Sequence, residues 1–357
     1  MSLKGLILAG GIGSRLRPIT FSTPKHLIPL LGKAMIEYPL EQLIEAGIRN
    51  IGIVVGYLGN MIIDYLGNGS RYEANFTYIR QEERLGIAHA IYLSISCGYI
   101  DGPFIVYLGD NVLAKGITKY VSEFIQRDYD VYILLSRVKD PRHFGVAVIK
   151  DGKIVKLVEK PREPISDLAV VGLYMFRDPE LVKKAFKTLK PSWRGEYEIT
   201  ELIQWFIDNG YSVGFEEVKG WWKDIGTPES LLEAIYFLLD NVETNVIRGE
   251  VMGRIVGRVI VDDGAVVEGD VYGPAYIGKN AYVGGNATID HYSSIERNAK
   301  ILSGYIMRSL VLDNTLIDIG RFRLKDSIIG RQSVISIKTN SFGEAQIITS
   351  DFSKIKI

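Results

Sequence analysis

Residues 277–301 read IGKNAYVGGNATIDHYSSIERNAKI. In this stretch Ile277, Val283, Ile289, Ile295 and Ile301 fall six residues apart. Four positions after each of the first four stands a small residue: Ala281, Ala287, Ser293 and Ala299. The same step of six joins Val261 to Val267, Val311 to Ile317 and Ile329 to Ile335. A sustained period of six is the signature of a left-handed parallel β-helix, in which each short face turns one aliphatic side chain inward. Stacked coils then bury those side chains as one column. An ordinary antiparallel sheet is the alternative, but chance alternation does not hold one phase across five successive positions. Residues 243–357 are therefore expected to form a β-helix domain.

Upstream the rhythm differs. Leu3 to Ala9, Ile51 to Gly56, Phe76 to Arg80, Phe104 to Leu108 and Val131 to Val138 are rich in Val, Ile, Leu and Tyr. Continuous apolar strands suit a sheet covered on both faces. Between them Met35 to Ala46, Ala88 to Ser96 and Ile117 to Arg127 carry apolar residues at helical spacing. From Gly145 a hairpin follows, with Val146 to Ile149 and Ile154 to Val158 around Lys150-Asp151-Gly152-Lys153. Further helices are expected at Pro179 to Leu189, Ile199 to Asn209 and Pro228 to about Val242. This alternation predicts an α/β domain over 1–242, with a doubly wound, mixed but mostly parallel sheet.

The chain has 357 residues, enough for two domains and a sizeable core. Forty-two basic residues balance forty-two acidic ones, and a nucleic-acid binder would show a basic excess. No apolar run reaches the ~18 residues of a membrane helix, so no membrane partner is expected. The single cysteine, Cys97, excludes a disulfide framework, suits a reducing cytoplasm and reads as a small buried hydrophobe.

The chemistry starts at the N-terminus. The strand Leu6-Ile7-Leu8-Ala9 runs into Gly10-Gly11-Ile12-Gly13-Ser14-Arg15-Leu16-Arg17-Pro18. Such a turn exposes backbone N–H groups, and a phosphate can approach because no Cβ stands in its way. Gly11-x-Gly13 lacks the third glycine of a dinucleotide fingerprint, and no Gly-Lys-Ser/Thr ending makes it a P-loop. Two cations follow instead, Arg15 and Lys25, which suggests a cradle for a polyphosphate that leaves as pyrophosphate. Asp110 follows the apolar run Phe104 to Leu108, at the carboxyl end of a strand, where ligands of open α/β sheets sit.

The string LAGGIGSRLRP (8–18) with TPKHLIPL (23–30) resembles the signature of sugar-1-phosphate nucleotidylyltransferases. Further segments resemble the long form of glucose-1-phosphate thymidylyltransferase: GIAHAIY (86–92), VYLGDN (106–111), FGVAV (144–148), LVEKPREP (157–164), LAVVGLYMF (168–176), PSWRGEYEIT (191–200) and GWWKDIGTPE (220–229). The resemblance implies that Asp110 and Asp224 hold Mg²⁺ and that Lys160 binds the sugar phosphate. It also implies that Glu159 bonds sugar hydroxyls, with Gly145, Val171 and Gly172 against the ring and Trp222 as a wall. Leu8, Gly10, Gly11, Gly13 and Gly86 would line the nucleotide. Gln81, five residues before Gly86 as in the family, can donate and accept through one amide, which suits the imide edge of thymine or uracil.

The substrates implied are dTTP, or UTP, and glucose-1-phosphate, with a homo-oligomer as the assembly. Uridylyl transfer is the first alternative, and guanylyl transfer to mannose-1-phosphate is a further one. A regulatory subunit that binds sugar nucleotides without chemistry is the reading from another class; the presence of Arg15, Lys25, Asp110, Lys160 and Asp224 speaks against it. Two departures stand out. His26 occupies a place usually held by glutamine, and Asp167 one usually held by asparagine. His291 lies inside the repeats; such domains can carry acyl-CoA-dependent acetyltransferase sites, but the expected role of the tail is to mediate assembly and stiffen the protein.

Overall fold

A computed structural model describes residues 3–337 and 342–356. The chain divides into two compact units, Met1–Ile12 with Ile36–Asp224, and Gly13–Met35 with Ile225–Ile357. The segments 13–35 and 225–242 thus share a unit with the six-residue repeats.

The first unit is built on nine strands. They are β1 (Lys4–Ala9), β2 (Asn50–Val55), β3 (Asn75–Arg80) and β4 (Phe104–Leu108), then β6 (Val131–Arg137), β7 (Gly145–Lys150), β8 (Lys153–Glu159), β9 (Leu168–Phe176) and β10 (Val213–Glu217). A separate two-stranded ribbon pairs β5 (Asn111–Leu113) with β11 (Trp222–Asp224). The main path runs β8-β7-β9-β4-β1-β2-β3, with β6 on β9 and β10 on β6. Strands β4, β1, β2 and β3 are mutually parallel, so their carboxyl ends share one edge. There the chain turns through Gly10 after β1, Gly56 after β2 and Asp110 after β4. The expected hairpin is present as the antiparallel pair β7–β8, and β9 runs antiparallel to both β4 and β6.

All six expected helices form within a few residues of their predicted bounds: Glu37–Glu45, Ile87–Ser96, Thr118–Gln126, Pro179–Phe186 and Ile199–Asp208 in this unit, and Pro228–Asp240 in the second. Pro179 presets the first helical φ, and the Asp178 side chain accepts from the Glu180 N–H at 2.8 Å, satisfying one of the orphan donors. Several elements lie outside the expected set, among them the strands β9 and β10. The helix Gly59–Leu66 follows the left-handed Leu58, and the ribbon β5–β11 is too short to carry a period. Cys97 is a correction: it is exposed, because it caps the helix Ile87–Ser96 beyond the last core-facing turn.

The second unit carries the repeats as a parallel β-helix. Val246–Ile247, Val259–Val261, Ala275–Ile277, Ser293–Ile295, Leu310–Val311 and Ile328–Ile329 stack in parallel as one sheet. Val266–Val267, Tyr282–Ile289, Lys300–Met307, Leu316–Lys325 and Val334–Ser336 stack likewise in another. Ile277, Val283, Ile289, Ile295 and Ile301 are fully buried, and so are the small residues between them. The corners repeat as well. Gly264, Asn280, Asn298, Asn314 and Gln332 all take left-handed φ, a conformation that glycine and asparagine adopt most cheaply. Each N–H from Asn280 to Gln332 donates to a carbonyl of the preceding corner, as Asn298 does to Lys279 at 2.9 Å. The His291 ring lies 2.8 Å from Asp290 Oδ1.

Candidate active site

The first unit brings Asp110 and Asp224 together. Antiparallel pairing of β5 with β11 sets Asp224 opposite Asn111, next to Asp110. Asn111 Nδ2 donates to Asp110 Oδ1 at 3.0 Å and to Asp224 Oδ1 at 3.4 Å, so one amide nitrogen is shared by both carboxylates. Asn111 Oδ1 accepts from the Gly172 N–H at 3.2 Å and from Trp222 Nε1 at 2.7 Å. This buried side chain therefore ties three elements with all of its hydrogen-bonding capacity in use. A Cβ at position 172 would stand 2.6 Å from Asn111 Oδ1, which only glycine avoids. Val171 is fully buried beside it, and Trp222 packs at a tilt against Phe144 with ring centroids 5.5 Å apart.

A second cluster forms where β8 ends. Glu159 lies opposite Gly145 in the hairpin register, and a Cβ on Gly145 would come within 3.1 Å of Glu159 Oε2. Thr200 Oγ1 donates to Glu159 Oε2 at 3.3 Å, and Arg194 Nη1 to Glu159 Oε1 at the same distance. Lys160 takes a left-handed φ, and its Nζ lies 3.7 Å from Glu159 Oε1. Burial pushes the Glu159 carboxyl up, Glu198 adds to this, and Lys160 and Arg194 oppose it. Tyr174 links the clusters. Burial raises its hydroxyl, and the charges of Glu159, Asp224 and Asp110 all raise it further.

The third cluster lies at the carboxyl edge of β1 and β2. Gln81 Nε2 donates to Gly86 O at 3.2 Å and lies 3.1 Å from His89 Nδ1. A carbonyl oxygen only accepts, so the amide orientation is set, and Oε1 faces Gly10, where a Cβ would come within 3.1 Å of it. Burial lowers the His89 pKa, with Glu83 opposing, which favours the neutral ring whose Nδ1 can accept. Leu8 is buried in β1, and Gly11 is exposed in the turn beyond it.

Arg15 and Lys25 belong to the second unit, on the segment Gly13–Met35. Gly13 has a φ of 64° and starts the short turn Ser14–Leu16 that carries Arg15. Thr20 Oγ1 donates to Gly13 O at 2.7 Å, and a Cβ on Gly13 would meet Lys25 Cβ at 3.2 Å. The two cationic turns thus pack on each other through one glycine.

A profile of the family described as Nucleotidyl transferase matches residues 4–241. The chain belongs to that family. It is 37% identical to the glucose-1-phosphate thymidylyltransferase of Streptomyces antibioticus over 361 residues, 99% of each protein. It is also 37% identical to the low-salt glycan biosynthesis nucleotidyltransferase Agl11 of Haloferax volcanii, over 99% of this chain and 100% of that one. Among solved structures, a Bacillus anthracis protein provisionally named a glucose-1-phosphate thymidylyltransferase superposes with a TM-score of 0.61 at 40% identity. That match covers 66% of this chain and 95% of the other.

As a nucleotidyltransferase the chain is expected to use a divalent metal, and its residues fit one. Asp110 and Asp224 offer hard oxygen donors held side by side, while no group of three or more metal-ligating side chains exists among the described residues. Two carboxylates completed by substrate oxygens are what a small hard cation takes. Asn111 and Arg194 join these clusters although the sequence does not single them out. Both stand inside recognisable motifs, VYLGDN and PSWRGEYEIT, beside residues with assigned roles. Asp167 is paired: Arg137 Nη1 donates to both of its oxygens, at 2.8 and 3.0 Å.

Proposed function

We propose that this nucleotidyltransferase transfers a thymidylyl group from dTTP to glucose-1-phosphate, giving dTDP-glucose and pyrophosphate, with Mg²⁺ as its metal. The observation that carries the proposal is the sharing of Asn111 Nδ2 by Asp110 and Asp224, while Asn111 Oδ1 accepts from the Gly172 N–H. A phosphate oxygen of glucose-1-phosphate attacks the α-phosphorus of dTTP in line, a new P–O bond forms, and the α–β bridging bond breaks toward pyrophosphate. The attacking phosphate is already ionised, so no general base and no covalent intermediate are required. Catalysis is positioning and charge neutralisation. Bound at Asp110 and Asp224, Mg²⁺ would offset negative charge on the phosphates of both substrates.

Each residue takes a role consistent with its neighbours. Lys160 binds the sugar phosphate, and Glu159 accepts from sugar hydroxyls, its carboxylate oriented by Thr200 and Arg194. Gly145, Val171 and Gly172 leave room for the ring, with Trp222 behind them. Leu8, Gly10, Gly11 and Gly13 face the nucleotide with backbone, and Arg15 and Lys25 neutralise the departing pyrophosphate. Gln81 Oε1 accepts from the base N3–H, which thymine and uracil carry and cytosine lacks, while Gly86 closes the same side. The amide cannot separate thymine from uracil, so uridylyl transfer from UTP is the second reading. The exposed Cys97 suits a reducing compartment, consistent with work in the cytoplasm.

The test is pyrophosphate release from dTTP, UTP, CTP and GTP, each against glucose-1-phosphate, mannose-1-phosphate and glucosamine-1-phosphate. Release is expected with dTTP and glucose-1-phosphate and not with CTP. Absence of release with every pair would overturn the enzymatic reading.

A further inference from the structure

The β-helix does more than extend the chain. The segment Gly13–Met35, with Arg15 and Lys25, folds in the same unit as the coils, and residues on both sides of Lys25 make polar contacts with them. Arg331 donates from Nη1 to Thr23 Oγ1 at 2.9 Å and from Nη2 to Leu27 O at 2.5 Å. One guanidinium therefore grips the chain on both sides of Lys25. Asp351 Oδ2 accepts from Thr23 Oγ1 at 2.8 Å and from Ser22 Oγ at 2.7 Å, while its Oδ1 accepts from the Arg331 N–H at 2.7 Å. Thr23 Oγ1 both accepts and donates, which fixes its proton and closes the network.

Local geometry carries this hold to the cations. Pro24 leads from the buried Thr23 into the short turn Lys25–Leu27, closed by the Ile28 N–H on Lys25 O at 3.0 Å. Lys25 rests its stem against Gly13, and Gly13 opens the Arg15 turn. Farther along, the Gly32 N–H donates to the buried Glu296 at 3.0 Å, pinning the far end of the segment to another coil. A solvated loop bearing two cations would have to order itself, at a cost in backbone entropy, each time a triphosphate bound. Here the ordering is built in.

We infer that Arg331 and Asp351 are positioning residues for nucleotidyl transfer: they hold the Lys25 turn, and through Gly13 the Arg15 turn, in one conformation. The inference rests on the proposed roles of Arg15 and Lys25 as the cations that neutralise the triphosphate. The planar fork matters, because an ammonium cannot reach Thr23 and Leu27 at once with two parallel donors.

The experiment measures steady-state pyrophosphate release by the full-length chain and its variants Arg331→Met, Arg331→Lys, Thr23→Val, Lys25→Ala and Lys25→Ala/Arg331→Met. A small misplacement of a charged group can cost on the order of a hundredfold in rate. Arg331→Met is expected to lower kcat about tenfold or more with KM for glucose-1-phosphate changed by less than about twofold. Arg331→Lys should fall between, and Thr23→Val should share the kcat loss while leaving every coil residue in place. With Lys25 already removed, Arg331→Met should add less than about threefold, because it acts through that residue. If Lys25→Ala keeps the parental kcat, the reading of Lys25 itself fails. If Lys25→Ala is crippled while Arg331→Met and Thr23→Val turn over normally, the positioning inference alone is overturned. Losses that simply multiply in the double variant also overturn it, as does a loss confined to the fraction of folded protein.

Discussion

Glu296→Gln should make the protein more stable, and increasingly so as pH rises. Glu296 is wholly buried in the second unit, with Oε2 accepting from the Gly32 N–H at 3.0 Å and Oε1 from Ser294 Oγ at 2.7 Å. Burial pushes its carboxyl from 4.5 up to about 8, against the opposing pull of Ser294, Gly32 and Arg331. Below about 4.5 both the folded and unfolded chains keep the proton and the residue has no pH-linked cost. Between 4.5 and about 8 the unfolded chain releases a proton that the folded chain retains, so stability falls as pH rises. A tenfold difference in proton affinity between the two states is worth about 1.4 kcal/mol, which puts the cost at roughly 3 kcal/mol by pH 7 and levels it off above pH ~8. Glutamine keeps the shape, accepts from the Gly32 N–H, can donate to Ser294 Oγ and does not titrate. Urea unfolding of both proteins at pH 4.5, 6, 7 and 8 reads the effect as a shift in midpoint at constant slope. The variant should match the parent near pH 4.5 and exceed it by roughly 4 kcal/mol at pH 8. A difference that does not change with pH would refute the reasoning.

Three further outcomes follow from the geometry. Asn111→Ala leaves the Gly172 N–H and Trp222 Nε1 without their acceptor in a buried place, so a destabilisation of about 2 to 4 kcal/mol is expected by thermal or urea unfolding. Gly172→Ala drives a Cβ to 2.6 Å from Asn111 Oδ1 and should lower kcat/KM for glucose-1-phosphate at least about tenfold, read by pyrophosphate release. Arg15→Ala should lower turnover more than binding: kcat drops while the Kd for dTTP, measured calorimetrically, moves far less, and an intact kcat would remove Arg15 from its role.

The β-helix is legible because its period is the fold. An inward-facing Ile or Val at every sixth position states both the coil and the burial, and the structure buries every one of those singled out. The α/β half is legible where strands are long, apolar and central, as at Phe104–Leu108, and less so where two short strands meet only in three dimensions. The aspartate pair is reached through resemblance rather than through spacing. No local pattern links residues on either side of a ribbon closed by Asn111 and Asp224, 113 positions apart. Asn111 itself looks like a turn residue after a strand, and only its four partners reveal a hub. The hold of Arg331 and Asp351 on the Lys25 turn is less visible still, since Thr23 and Asp351 are separated by 328 positions. Cys97 misleads for a simpler reason: its neighbours in the helix are apolar, but it stands just past their last buried turn.

The most direct test of the central claim is a double-mutant cycle on Asp110 and Asp224. Pyrophosphate release would be measured with dTTP, glucose-1-phosphate and saturating Mg²⁺ for Asp110→Asn, Asp224→Asn and the pair together. Two carboxylates serving one ion act as a unit, so each single change is expected to remove most of kcat and the double change to cost little more than either. Full turnover in either single variant, or losses that multiply, would contradict the account.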